Sequence, residues 1–275
     1  MTIPAADHWI TTDRGRIFAR SWPQPEERHR ESILLFHDSL GCVDLWRDFP
    51  QQLASATGRR VVAYDRLGFG RSDPHPGPLS PAFIREEVVE VVPRLRQALK
   101  LDTIVAFGHS VGGAMAIMTA AHSPAGCTAV VTESAQSFVE DRTLTGIRAA
   151  QADFESPGQM ERLQRYHGTN ARWVLNAWIE TWLSPAFASW SLDDVLPAVK
   201  CPVLAIHGDQ DEYGSLRHPE RITRLAGGAA RALILENCGH VPHREQPARV
   251  LQAVTLFLAS LAGGLGSQPC TSSGP

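Results

Sequence analysis

The chain has little of what marks a nucleic-acid or membrane protein. Its 275 residues carry 26 lysines and arginines against 29 aspartates and glutamates, a formal charge of −3, so there is no basic stripe to neutralise a phosphate backbone. No run of like charge occurs, and no stretch approaches the about 18 uninterrupted apolar residues of a membrane span. The opening MTIPAADHWITTDRG lacks a basic start followed by an apolar segment, so no secretory signal is read and a cytoplasmic location is expected. The five cysteines, Cys42, Cys127, Cys201, Cys238 and Cys270, are odd in number, scattered and never in CxxC spacing. That argues against a disulfide framework and against a zinc site, and leaves them as plain core thiols. Internal repeats are absent, and the one low-complexity stretch is the Gly/Ser/Pro tail, which predicts a disordered end over 263–275.

What is present suits one large α/β unit, with 43% hydrophobic residues to fill a core. HWITTDRGRIFARSW predicts two alternating strands around a turn at Asp13–Gly15. SILLFH, RRVVAYD, TIVAFGHS, CTAVVTE, CPVLAIHGD and ARALILENC are short, nearly continuous apolar runs, as strands covered on both faces should be. Stretches of helical period alternate with them, which implies a mostly parallel sheet flanked by helices. The rhythm breaks over 136–195, where only helices are read. The domain reading is therefore a core over 1–135 and 196–262 with a helical insertion between two sheet strands, at the edge where open α/β sheets bind ligands.

FGHSVGG carries a GxSxG pattern, Gly108-His109-Ser110-Val111-Gly112. Three fixed positions are weak evidence alone, but they follow a predicted strand and open a predicted helix, the context a nucleophile elbow needs. A serine on so sharp a turn requires neighbours without Cβ atoms, which explains the two glycines. A hydroxyl is a poor nucleophile without a base, and the base needs a carboxylate to orient it. ENCGHVPHREQP offers His240 and His243; His240 directly follows a strand end and is preferred. IHGDQDEYG offers Asp209, Asp211 and Glu212; the chain order serine, acid, histidine makes one of these acids functional, and Asp211 is preferred, with Asp209 second and Glu133 of VVTES third.

Five segments in order, LLFHDSLG, YDRLGFGRSD, GHSVGG, GDQDEYG and GHVPHREQP, together resemble the oxyanion, DxRGxGxSD, elbow, acid and histidine loops of α/β-hydrolase-fold serine hydrolases over about residues 8–262. The resemblance implies that Ser110 is the nucleophile, Asp211 the acid and His240 the base, and that 136–195 is a helical cap. The oxyanion donors are expected to be the backbone N–H of Val111 and that of Ser39, or else of Leu40. No metal or organic cofactor is expected.

The expected activity is hydrolysis of a small carboxylic ester, thioester or lactone through an acyl-enzyme, with water and a small acyl substrate as partners; homo-oligomerisation is left open. Other classes are hydrolysis of a carbon–carbon bond in meta-cleavage-type diketones, a ligand sensor on a hydrolase scaffold, and transfer of the acyl group to an acceptor other than water. Candidate pocket residues are His37, Leu40, His109, Trp178 and Trp182. Most cap aromatics are expected to fasten the cap to the core, and Arg142, Arg148, Arg162 and Arg165 to be solvated rather than to hold a substrate carboxylate. Asp38 is the anomaly, since the family pattern has glycine after this histidine. Its carboxylate should point away from Ser110 and bond a backbone N–H or an arginine; facing Ser110, it would count against simple ester hydrolysis.

Overall fold

A computed structural model describes residues 4–24 and 31–263. Eight strands form one sheet: β1 Ala6–Thr12, β2 Gly15–Trp22, β3 Ser32–Phe36, β4 Val61–Tyr64, β5 Ile104–His109, β6 Cys127–Glu133, β7 Val203–Gly208 and β8 Ala230–Leu235. They lie in the order β1-β2-β4-β3-β5-β6-β7-β8. β1 pairs with β2, and β2 with β4, antiparallel; every other pairing is parallel. β3, β4, β5 and β7 are buried at every position, which is why they read as unbroken apolar runs. Successive side chains point to opposite faces, so the alternation divides the core in two. Leu34, Phe36, Ile104 and Ala106 pack on one side of the sheet, and Ile33, Leu35, Val105 and Phe107 on the other.

Helix Val111–His122 runs back from β5 and is buried from Val111 through Ala120. The stretch of helical period SPAFIREEVVEVVPRLRQALK forms Phe83–Glu86, a π-helical turn Glu87–Val91 and Val92–Leu99. Pro93 has no N–H to continue the α ladder, which accounts for the wider turn before it. Between β6 and β7 the chain forms helices Asp141–Asp153, Gln159–His167 and Ala171–Trp182. A bridge between Phe138 and Ser191 closes the base of this insertion. The tail expected from residue 263 lies, apart from Gly263, outside the described residues. No helix among the described residues is long and apolar enough to cross a membrane.

Register sets up the site. Phe36 lies beside Gly108, His109 beside Glu133, and Glu133 beside Ile206. The loops that leave β3, β5, β6 and β7 are therefore neighbours along one edge, under the insertion.

Candidate active site

Ser110 sits between β5 and its helix with φ 56° and ψ −124°, a conformation that L-residues adopt only where the surroundings enforce it. The two flanking glycines show what enforces it. A Cβ on Gly108 would lie 2.0 Å from the carbonyl oxygen of Gly112, and one on Gly112 would lie 2.1 Å from that of Phe36. The GxSxG spacing is thus a packing requirement of the turn against itself and against β3. The Ser110 N–H donates to the carbonyl of Glu133 at 2.8 Å, which ties the turn to β6.

The loop after β7 supplies Asp211 and the loop after β8 supplies His240. The imidazole Nδ1 lies 2.8 and 2.9 Å from the two carboxylate oxygens. Asp211 Oδ1 also accepts the Tyr213 and Gly214 N–H groups, at 2.8 and 3.0 Å, so the carboxylate is fixed independently of the histidine. Burial opposes its charge, yet the neighbouring His240 and these hydrogen bonds bring its pKa down to about 2. His240 is the counterpart: burial opposes its cation, and Asp211 more than restores it, so its pKa is raised.

The other acids stand elsewhere. Asp209 accepts the Cys238 N–H at 3.3 Å and braces its own loop. Glu133 is paired with His243, Nδ1 to Oε2 at 2.7 Å, in a buried spot where the imidazole packs on Trp46 and Phe49. Burial raises the Glu133 carboxyl to about 8 and lowers His243 to about 3, so this second pair is uncharged at neutral pH.

Ser110 and His240 open into one cavity of about 240 Å³, whose wall includes Asp38, Ser39, Leu40, Gln136, Trp178, Trp182 and Tyr213. The Ser110 hydroxyl donates to Gln136 Oε1 at 3.1 Å, not to His240. Gln136 was missed in the sequence: AQSF carries no motif, and its importance appears only once β6 is known to lie beside β5. Val111 begins a helix, where the first N–H groups have no intrahelical partner. The N–H groups of Ser39 and Leu40 bond to nothing among the described residues.

The loop holding those groups is braced from below. His37 Nδ1 donates to the Asp38 carbonyl at 2.8 Å, and its Nε2 accepts the Arg66 N–H at 3.1 Å. Burial keeps this imidazole well below its ordinary pKa and hence neutral, as the acceptor role requires. From the insertion, His167 Nε2 donates to the Leu40 carbonyl at 3.0 Å while its Nδ1 accepts the Gly70 N–H at 2.9 Å.

Three expectations need correction. His37 and His109 do not line the cavity. Both turn beneath the loops and line, with Trp46 and His243, a separate void of about 10 Å³; the His109 ring meets that of His243 edge-on at 5.2 Å, and its Nε2 lies 2.7 Å from the His240 carbonyl, bracing that loop. Asp38 does not bond a backbone N–H or an arginine through its carboxylate. Its Oδ1 rests against Gly41, where a Cβ would meet it at 1.9 Å, and the residue lines the cavity that holds Ser110. Burial disfavours its charge, but His109, His37, Arg244 and His240 around it hold the carboxyl below its ordinary pKa.

The cap aromatics divide. Trp178 and Trp182 line the cavity; Trp190 and Phe187 stack on each other, and Trp173 packs on Phe69 and His75. Of the four arginines, Arg142 is held by the Asp211 carbonyl at 3.0 Å, and none lines the cavity.

A parallel sheet whose carboxyl edge carries a strained serine turn beside a carboxylate-held histidine defines the class of α/β hydrolases. The chain belongs to the alpha/beta hydrolase family, whose model matches residues 33–253, as the motif resemblance implied. It is 27% identical to the mouse serine hydrolase BPHL over 217 residues, 74% of this chain and 72% of that protein. A segment of 93 residues, 34% of this chain, is 32% identical to mouse (Lyso)-N-acylphosphatidylethanolamine lipase, of whose length it covers 26%. The crystal structure of a membrane phospholipase A, a bacterial virulence factor, superposes with a TM-score of 0.76 at 24% identity, covering 94% of this chain and 87% of that one.

Proposed function

We propose that the protein is a serine hydrolase that cleaves a small carboxylic ester, thioester or lactone through an acyl-enzyme on Ser110. The observation that carries this reading is the forced conformation of Ser110 in the same cavity as an imidazole already bonded to a buried carboxylate. A turn so strained persists only where the surrounding structure insists on it.

In this mechanism the hydroxyl leaves Gln136 for His240, whose Nε2 takes the proton as Oγ attacks the carbonyl carbon. Asp211 holds the tautomer with hydrogen on Nδ1 and stabilises the imidazolium. The oxyanion is received by the Val111 and Ser39 N–H groups, each donor of this kind contributing about 2.7–4 kcal/mol. His240 then gives its proton to the leaving group, and water, activated by the same base, releases the acid. Asp38 acts in two directions here. Its charge disfavours the oxyanion, but it also favours the imidazolium that forms in the same step, so its presence does not oppose ester cleavage outright. The relatives named as a serine hydrolase and a lipase support acyl chemistry.

The test is a panel of acetyl and longer p-nitrophenyl esters, thioesters and lactones with wild type and Ser110→Ala. The variant should lose on the order of 10⁶-fold in kcat and all covalent labelling by a fluorophosphonate. Hydrolysis retained in Ser110→Ala would refute the reading.

A further inference from the structure

A second cavity of about 370 Å³ lies between the β1–β2 turn, the loop after β4 and the helical segment from Phe83 to Leu99. A neck of about 10 Å³ separates it from the cavity of Ser110. Ser39, Trp178 and Trp182 line both the neck and the Ser110 cavity. Arg66, Phe69, Leu79 and Phe83 line both the neck and the second cavity. The neck as it stands has room for about one water. The Ser110 cavity alone, about 240 Å³, is smaller than the about 300–1,000 Å³ of ordinary small-molecule sites, and the two joined fall within that range.

Part of the second cavity's wall is apolar, formed by Ile17, Leu67, Leu79, Phe83 and Val91, and Glu87 and the buried Arg66 lie on the same wall. The charges at its mouth answer one another: Arg14 lies 3.8 Å from Glu86 and 3.7 Å from Glu90, and Arg94 is paired with Asp13. Arg66 is already engaged, donating to the Asp38 carbonyl at 2.8 Å and stacking over Phe69. The Glu87 carboxylate lies near the Arg66 guanidinium, and the two opposite charges favour each other, so the wall charges answer one another rather than a ligand. Such a lining suits an uncharged apolar chain.

Geometry also says which half of an ester would lie there. The leaving group must reach His240 for its proton, and His240 stands with Tyr213 and Val241 in the part of the Ser110 cavity that contributes nothing to the neck. The neck opens instead beside Ser39, the oxyanion side. The remaining substituent of the tetrahedral carbon is the acyl chain.

We propose that the second cavity is the acyl-tail subsite and that Leu79 is the gate of the neck, so that the natural substrate is an ester of a medium-chain, unbranched carboxylic acid. Leu79 is suited to move: it is half-buried in the Pro- and Gly-rich segment DPHPGPLSP and borders open space on three sides, the neck, the second cavity and a third one by Trp173. This inference rests on the hydrolase reading above, and the experiment separates the two.

The measurement is kcat/KM for p-nitrophenyl decanoate and acetate with wild type, Leu79→Trp and Leu79→Ala, together with calorimetric binding of decanoate and acetate to Ser110→Ala with and without Leu79→Trp. Leu79→Trp should lower the decanoate-to-acetate ratio at least tenfold, Leu79→Ala should raise it, and decanoate should bind Ser110→Ala at least tenfold more weakly once Trp fills the neck. Wild type that cleaves acetate while Leu79→Trp leaves the ratio unchanged would overturn the subsite and spare the hydrolase. Wild type that cleaves neither ester would count against the hydrolase reading, and decanoate binding unaffected by Leu79→Trp would then overturn the subsite on its own.

Discussion

Gln136 and Asp38 are the residues in the Ser110 cavity whose roles the motifs did not announce, and each makes a prediction. Gln136 accepts the Ser110 hydroxyl, which therefore does not bond to His240. Replacing it with leucine removes a competing acceptor, and a hydrogen bond of this kind contributes about 0.5–1.5 kcal/mol. Labelling of Gln136→Leu by a small fluorophosphonate should therefore run about two to ten times faster than wild type, and an unchanged or slower rate would show that the amide does not restrain Ser110. Asp38 is among the charges that raise His240. In Asp38→Asn the imidazolium loses that support, so the acid limb of the pH–kcat/KM profile should move to lower pH; a limb that stays in place would remove Asp38 from the electrostatics of the base. That Ser110, Asp211 and His240 would come together in one place was legible because each lies in a short segment whose order along the chain carries meaning. Gln136 was not, because it meets Ser110, 26 residues away in sequence, only through the pairing of β5 with β6. The partner of Asp38 was misjudged, because nothing local shows that its carboxylate would lodge against Gly41 rather than on a backbone N–H or an arginine.

At the scale of elements, strands and helices could be read from their period, and the interruption over 136–195 marked the insertion. The π-helical turn before Pro93 could not, since a missing N–H can end, kink or widen a helix and only packing decides among them. The contact of the elbow with β3 was half legible: the glycines were expected, the closeness of Phe36 was not. Gly112→Ala tests that contact. A methyl group 2.1 Å from the Phe36 carbonyl must push β3 and the serine turn apart, at a cost of about 1–3 kcal/mol. Thermal unfolding should register that loss, and ester hydrolysis should fall with it because the Ser39 donor moves with β3. A variant as stable and active as wild type would mean that the backbone relaxes freely there.

For the whole molecule, the class of sheet followed from the apolar runs, whereas the order of its strands depended on crossovers that no local pattern encodes. The buried Glu133–His243 pair gives the fold a pH dependence of its own. Glu133 has a folded pKa raised to about 8, above its unfolded value, so the folded state binds more protons than the unfolded one as pH climbs towards that value. Its contribution is complete at low pH and is lost with a slope of up to about 1.4 kcal/mol per pH unit. His243, lowered to about 3, acts oppositely: its contribution is present above the ordinary histidine range and is lost as pH falls. Glu133→Gln carries no such proton, so denaturant titrations should find it gaining on wild type between pH 5 and pH 8. A difference that stays constant with pH would show that Glu133 is ionised in the fold throughout.

The two bonds of His167 reach further than bracing. One ring nitrogen gives a proton to the Leu40 carbonyl and the other receives one from Gly70, so the door and the tool share a hinge pin. If the insertion swings outward, the ring leaves with it, and the loop that presents the Ser39 and Leu40 amides slackens at the same moment that bulk water gains entry. An open molecule is thus a disarmed one. On the proposed mechanism, an acyl compound reaching Ser110 in such an open form would find the Ser39 amide unbraced, and selectivity would depend on the helices being in place as much as on the shape of the cavity.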